Sequence, residues 1–433
     1  MMNRIAIFQN PQPDTWPALA ERNAPDDAAV EQSVRHIIAE VRAHGDEALR
    51  RFALAFDHAH IDALALSDDE RQRMEQGVSN DVKRAIDRAM HHIEAFHAAQ
   101  RPHTVDVYTQ QGVHCIQKAV PLQRVGLYIP GGRAPLFSTV LMLALPARIA
   151  GCKEVVLCTP QGADGFIAPE IIYAANRCGV HTIYRIGGAQ AIAAMAYGTE
   201  SIAPVNKIFG PGNRYVTHAK QQVSVHTAID MPAGPSEVLV MADDTARPDF
   251  IAADMLSQAE HGPDSQAMLV CQSSALAEAV ATEVERQTAL LPRAALVEQS
   301  LSKSRIIVLP TRQAMTDFAN AYAAEHLIVQ MERPWEIAER ITAAGSVFVG
   351  HYSPESAGDY ASGTNHTLPT SGYAHAYSGV NLDSFIKKIT FQHLSREGLG
   401  HIGEAVEVMA ENEDLMAHRL AVAVRLDKCN GKN

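Results

Sequence analysis

A chain of 433 residues with net charge −12 and 47% hydrophobic residues can build two or three sealed cores, and its negative balance excludes unspecific nucleic-acid binding. No apolar run is long enough to span a bilayer, and the start Met1-Met-Asn-Arg-Ile-Ala-Ile-Phe lacks a signal-peptide core or cleavage site. A cytoplasmic location without membrane partners is therefore expected. The six cysteines (Cys115, Cys152, Cys158, Cys178, Cys271, Cys429) are scattered without a CxxC, which suits a reducing compartment and no thiolate zinc knuckle.

Residues 1–24 read as an N-terminal arm. Val30, Val34, Ile37, Ile38 and Val41 then recur at helical spacing up to Gly45, and Asp46 is placed to cap a second helix with Leu49, Phe52 and Phe56. Ser67-Asp-Asp-Glu70 has the pattern of a capping box, and a long helix follows with Val82, Ile86, Ala89, Ile93 and Phe96. Residues 105–121 alternate as a hairpin about Gln111-Gly112.

From Val125 the rhythm becomes strand, glycine-rich turn, helix. Strands are expected at 125–130, 155–159, 182–186 and 207–209, and a second series at 238–242, 268–271, 305–309, 327–330 and 346–350. Alternating βα units imply parallel sheets covered by helices. The predicted fold is α/β: two Rossmann-like lobes with parallel sheets, an N-terminal helical region and a C-terminal helical tail. The expected boundaries are 125–236 for one lobe, 25–124 with 237–380 for the other, and 381–433 for the tail. Residues 351–381 read as a long polar loop, and the last fifty residues return to helix.

The chemistry gathers around Asp254-Met-Leu-Ser-Gln258-Ala-Glu260-His261-Gly-Pro-Asp264-Ser. Gln258 and His261 are three apart on a helix that Gly262-Pro263 stops, so a carboxamide and an imidazole leave one face together and could hold a metal ion. A lone pair of this kind also reads as a polar helix end. Gly131-Gly132, Gly187-Gly188-Ala-Gln190 and Gly210-Pro-Gly212-Asn213 follow successive strands of the first lobe. None is a GxGxxG, yet three such turns at one sheet edge suit a dinucleotide. Glu325-His326 opens a strand; both can reach one pocket only if the turn at Ala323-Ala324 is irregular. Asp359 could complete a metal set, or simply make an Asx turn. Glu413 and His418 lie five apart in the helical tail.

Val125-Gly-Leu-Tyr-Ile-Pro-Gly-Gly-Arg-Ala-Pro, Ile208-Phe-Gly-Pro-Gly-Asn, Asp230-Met-Pro-Ala-Gly-Pro-Ser236-Glu, Ser257-Gln-Ala-Glu-His-Gly-Pro-Asp, Glu325-His-Leu and Ser353-Pro-Glu-Ser-Ala-Gly-Asp-Tyr-Ala-Ser-Gly-Thr-Asn-His closely resemble the L-histidinol dehydrogenase family. The resemblance runs in order over nearly the whole chain. It implies oxidation of L-histidinol through L-histidinal to L-histidine, with two NAD reduced. It implies one zinc ion per subunit on Gln258, His261, Asp359 and His418, and substrate contacts from Ser236, Gln258, His261, His326, Asp359, Glu413 and His418. Tyr128, Gln190 and Asn213 would line the NAD site in the 125–236 lobe. Glu325 and His326 would be the catalytic pair, and the tail would reach across a homodimer to complete the neighbour's site.

A mixed nitrogen and oxygen ligand set would leave zinc open to substrate nitrogens, and Mn²⁺ or Co²⁺ could replace it. A cysteine thiohemiacetal is the rival route to the acid, but Cys115 and Cys152 have no activating partner in sequence. Competing functions are a same-fold dehydrogenase of another polar alcohol such as a sulfonated diol, a zinc-dependent lyase, and a binding protein with structural zinc. The Glu413 and His418 pair, the glycine turns and the absence of thiolates in the implied ligand set argue against these in turn.

Overall fold

The computed structural model describes residues 5–22, 27–131 and 135–427. Gly132 of the first glycine turn, Arg133 and Ala134 of the first family motif, Cys429, and parts of the 1–24 arm lie outside the described residues. The chain divides into two units: 1–100 with 123–385, and 101–122 with 386–433.

In the first unit, strand β1 (Ala6–Gln9) precedes a helical region. The helix Ala28–Asp57 bends at Gly45, where φ is 49°, a conformation that costs glycine little. Its stripe of Val34, Ile37, Ile38, Val41, Leu49 and Phe52 is buried against the alanine-rich helix Gly188–Tyr197. Asp46 does not cap the second segment as expected: its carboxylate accepts from the Ser201 amide at 3.2 Å and from the Ser201 hydroxyl. Phe56 and Phe96 end their helices exposed rather than in the core. The Ser67–Glu70 capping box forms in both directions.

The hairpin strands β2 (Val105–Gln110) and β3 (Val113–Pro121) belong to the second unit. The first unit resumes with β4 (Arg124–Tyr128), β5 (Glu154–Cys158), β6 (Thr182–Tyr184), β7 (Lys207–Phe209) and the two-residue β8 (Ala228–Ile229). They form a parallel sheet in the order β6-β5-β4-β7-β8. A second series, β9 (Glu237–Ala242), β10 (Gln266–Cys271), β11 (Arg305–Val308), β12 (His326–Gln330) and β13 (Ser346–Val349), repeats that order with β1 added beside β11. Each five-strand series therefore runs 3-2-1-4-5, the doubly wound order of a Rossmann fold without its sixth strand. β9 and β10 are buried along their whole length, as a central parallel strand must be.

In the second unit, β14 (Ile386–Leu394) pairs antiparallel with β3 over nine residues. Periodicity predicts only helix in this tail. This strand carries largely exposed side chains, so it lacks the alternation that marks a half-buried strand, and its distant partner decides it. The helices Arg396–Asn412 and Met416–Ala423 follow. Among the described residues no helix is long and apolar enough to cross a membrane.

Candidate active site

The two parallel sheets place chemistry on opposite edges. In the first sheet, Tyr128 ends β4 and Gly210 follows its neighbour β7. A Cβ on Gly210 would stand 2.1 Å from the Tyr128 carbonyl, and φ there is +125°, so the two strand ends can lie this close only with glycine. Between strands of this order lies the switch point where α/β sheets bind dinucleotides. The Gly188 amide donates to the Tyr128 hydroxyl at 3.1 Å. Gln190 is buried, and its Oε1 has no hydrogen-bond partner among the described residues. Asn213 is exposed and N-caps the helix Arg214–Val223, accepting from the Val216 amide at 3.2 Å.

In the second sheet the candidate residues stand at the amino edge. Ser236 precedes β9, and His326 opens β12 beside it. The helix Pro248–Ala259 runs back from the far edge, so its C-terminal end returns Gln258 and His261 to the amino edge before β10. There Gln258 Nε2 lies 3.2 Å from His261 Nδ1, and Gln258 Oε1 is buried without a hydrogen-bond partner among the described residues.

The turn before β12 is irregular. Ala323 closes the helix Arg312–Tyr322 in the left-handed region, with φ 52°. This brings Glu325 Oε2 to 3.7 Å from His326 Nδ1, although the two residues are adjacent. The Glu237 amide donates to the same Glu325 oxygen at 2.9 Å. His326 Nδ1 also lies 3.8 Å from Glu355 Oε1, and Nε2 lies 3.5 Å from Asp359 Oδ1. At these separations neither ring nitrogen, nor either Glu355 oxygen, has a hydrogen-bond partner among the described residues.

Burial governs the titration of this cluster. It pushes Glu325 up to about 7 and Glu355 up to about 8, with the nearby His326 charge opposing. Burial would pull His326 down, but Glu355, Glu325 and Asp359 outweigh it and raise the imidazole to about 10. Burial also pushes against ionisation of Asp359, yet His326, with His366 and His261 beyond it, holds that carboxyl below its usual range. Asp254, one helical turn before Gln258, is raised to about 7 by burial and accepts from Gln330 Nε2 at 2.6 Å.

The structure thus gathers Gln258, His261, Glu325, His326 and Asp359 in the first unit, and Ser236 stands one residue before β9, the strand that pairs with β12. Glu413 and His418 belong to the second unit, where both are exposed and Glu413 closes the helix Arg396–Asn412. Sequence reasoning missed Glu355 and His366. Glu355 lies four residues before Asp359 on the helix Glu355–Tyr360, a spacing that could have flagged a shared face. His366 lies 2.9 Å from the Asp359 carbonyl and 3.1 Å from the Thr139 hydroxyl. Ligand atoms of His326, Glu355 and Asp359 all lie within 4.8 Å of one another, close enough to hold a metal ion. The Cys152 thiol donates to the Phe385 carbonyl at 3.7 Å, and Cys115 lies on β3 in the second unit.

Known proteins resemble this chain over nearly its whole length. The family model for histidinol dehydrogenase matches residues 20–426. Histidinol dehydrogenase of Bacteroides thetaiotaomicron is 55% identical over 98% of this chain and 99% of its own length. The enzyme of Escherichia coli O6:H1 is 52% identical over 92% of each. The crystal structure of histidinol dehydrogenase from Elizabethkingia anophelis superposes with a TM-score of 0.96 at 48% identity, covering 100% of both chains. With paired Rossmann-like sheets, a buried acid–imidazole cluster at the amino edge of the second and relatives of this identity over nearly its full length, the chain belongs to the histidinol dehydrogenase family, oxidoreductases of histidine biosynthesis.

Proposed function

We propose that the chain oxidises L-histidinol by four electrons, through L-histidinal to L-histidine, with two NAD and one zinc ion. The observation that carries this reading is the sealed His326 imidazole, flanked by Glu325 and Asp359 and bound by neither ring nitrogen.

The donor set fits a metal. Gln258 Oε1 is a buried acceptor without a hydrogen-bond partner among the described residues, and such an oxygen costs stability unless a cation or donor meets it. Gln258, His261 and Asp359, with His418 of the partner subunit, would hold zinc. When bound, zinc supplies positive charge and open positions that orient the substrate's imidazole and amine nitrogens and oppose a proton on His326. NAD, held at the carboxyl edge of the first sheet by Tyr128, Gln190 and Asn213, supplies the hydride acceptor.

The protein's own groups then act in turn. Ser236, with Glu413 of the partner subunit, would contact the substrate. Neutral His326 takes the hydroxyl proton of histidinol as the carbinol carbon loses its hydride. Glu325, as carboxylate, takes a proton from water as the water oxygen bonds to the aldehyde carbon, and the His326 imidazolium gives its proton to the carbonyl oxygen, which returns His326 to the neutral form. His326 takes the hydrate's hydroxyl proton as the second hydride leaves, giving the carboxylic acid. Each oxidation removes two electrons. The buried setting excludes bulk water between the steps.

A second reading puts the metal on His326, Glu355 and Asp359, whose ligand atoms cluster within 4.8 Å. It would remove His326 as a base. Growth of NADH absorbance on adding L-histidinol, with two NADH per histidine formed, tests the proposed reaction; one NADH per product, or none, overturns it.

A further inference from the structure

A buried brace stands behind Glu325 that the proposed chemistry does not use. Glu237 opens β9 at 2% exposure. Its carboxylate accepts from Arg22 Nε at 2.5 Å and from Arg22 Nη2 at 2.9 Å, and the Gly372 amide adds a donor. Arg22 Nη2 also donates to the Tyr322 carbonyl at 2.5 Å, and the guanidinium lies 4.1 Å over the Tyr322 ring. The Tyr322 hydroxyl donates to Gln266 Oε1 at 2.6 Å, while the Gln266 amide donates to the Ser236 carbonyl at 3.1 Å.

One guanidinium therefore grips both supports of Glu325. Tyr322 is the last residue of the helix Arg312–Tyr322, three residues before Glu325. Glu237 carries the amide that binds Glu325 Oε2. We propose that Arg22 is a positioning residue for Glu325: by fixing the Tyr322 carbonyl relative to Glu237, it keeps Oε2 on the Glu237 amide and leaves Oε1 to meet water. The inference rests on the reading of Glu325 as the base of the aldehyde step.

The chemistry of the brace calls for arginine. Two donors on one carboxylate, a third hydrogen bond to a carbonyl and stacking on an aromatic face need a planar fork, which a lysine ammonium does not offer. Arg22→Gln would leave Glu237 a buried carboxyl without its cation and free the Tyr322 turn.

The two half-reactions separate the roles. Histidinal reduction by NADH needs no activated water, whereas oxidation of supplied histidinal does. Arg22→Gln is expected to lower kcat for histidinal oxidation by about tenfold or more, with histidinal reduction changed by less than about twofold and KM for histidinol unchanged. Arg22→Lys should recover part of the loss, and it carries the test if the glutamine variant does not fold. Parallel loss of both half-reactions in Arg22→Lys, or no loss in either variant, overturns the proposal, provided that Glu325→Gln slows histidinal oxidation selectively. If Glu325→Gln spares that step, the reading of Glu325 fails and takes the positioning role with it.

Discussion

His326 Nδ1 lies 3.8 Å from Glu355 Oε1, with both side chains sealed from water and no hydrogen bond between them. Glu355 therefore acts on His326 through charge. Removing it in Glu355→Gln should lower the His326 pKa, because the imidazolium loses an attractive neighbour. The neutral base then exists at lower pH, and the acid limb of histidinol oxidation should move down by about one pH unit. A pH profile of kcat/KM checks this, and an unmoved limb would show that Glu355 does not set His326. The same cluster has a stability signature in metal-free protein. His326 is raised to about 10 in the folded state, against about 6.5 when unfolded. The folded chain then binds more protons between those values, so its stability is full below about 6.5 and falls as pH rises towards 10. Thermal melts of metal-free protein should show that fall, and His326→Asn should flatten it.

The two candidate metal sets share Asp359 and differ elsewhere, so metal content separates them. His261→Asn should lose zinc, as measured by atomic absorption, while Glu355→Gln keeps it. The reverse pattern would move the metal to His326, Glu355 and Asp359. A strong chelator should abolish activity, with zinc restoring it and Mn²⁺ or Co²⁺ substituting in part.

Glu325 and His326 share one pocket with different tasks. Glu325→Gln should impair oxidation of supplied L-histidinal by about a hundredfold while largely sparing interconversion of histidinol and histidinal. His326→Asn should impair both. Selective loss of the aldehyde step in Cys152→Ser or Cys115→Ser would instead assign the chemistry to a thiol.

Gly210 is forced by its neighbours. A Cβ there meets the Tyr128 carbonyl at 2.1 Å in a backbone conformation that L side chains rarely adopt. Gly210→Ala should cost about 2–3 kcal/mol in urea unfolding and raise KM for NAD more than KM for histidinol. Wild-type stability would remove the claim that this edge must stay bare.

The shared site implied by family resemblance can be counted. When chains carrying His326→Asn are mixed and re-paired with chains carrying His418→Asn, about half the dimers are hybrids with one intact site, which gives about a quarter of wild-type activity. No recovery, with hybrids shown to form by mass spectrometry, would place each site within a single chain.

The elements that rest on local pattern were legible from residues alone. Apolar runs separated by glycine turns announce β4–β7 and β9–β13 because a buried parallel strand needs a continuous apolar run and a tight exit. Gln258 and His261 are three apart, but the helix expected to carry both ends at Ala259; a turn in which the His261 amide donates to the Gln258 carbonyl at 3.2 Å keeps them together. The Ser67–Glu70 box is decided by two backbone amides three residues apart.

Tertiary structure decided what depends on residues distant in the chain. β1 is a strand because β11, some three hundred residues on, offers it an edge, and β14 is one because β3 does. Whether Glu325 and His326 could share a pocket turned on the backbone at Ala323, whose left-handed φ no side-chain pattern dictates. Glu355 could have been an exposed acid on a short helix; burial against His326 makes it part of the cluster. Arg22 reads as one more charge in a terminal arm until Glu237 and Tyr322 are seen to close on it from β9 and the end of a helix. Short-range sterics and periodicity set the elements; the charges and hydrogen bonds of the site exist only once folding brings distant backbones within a few ångströms.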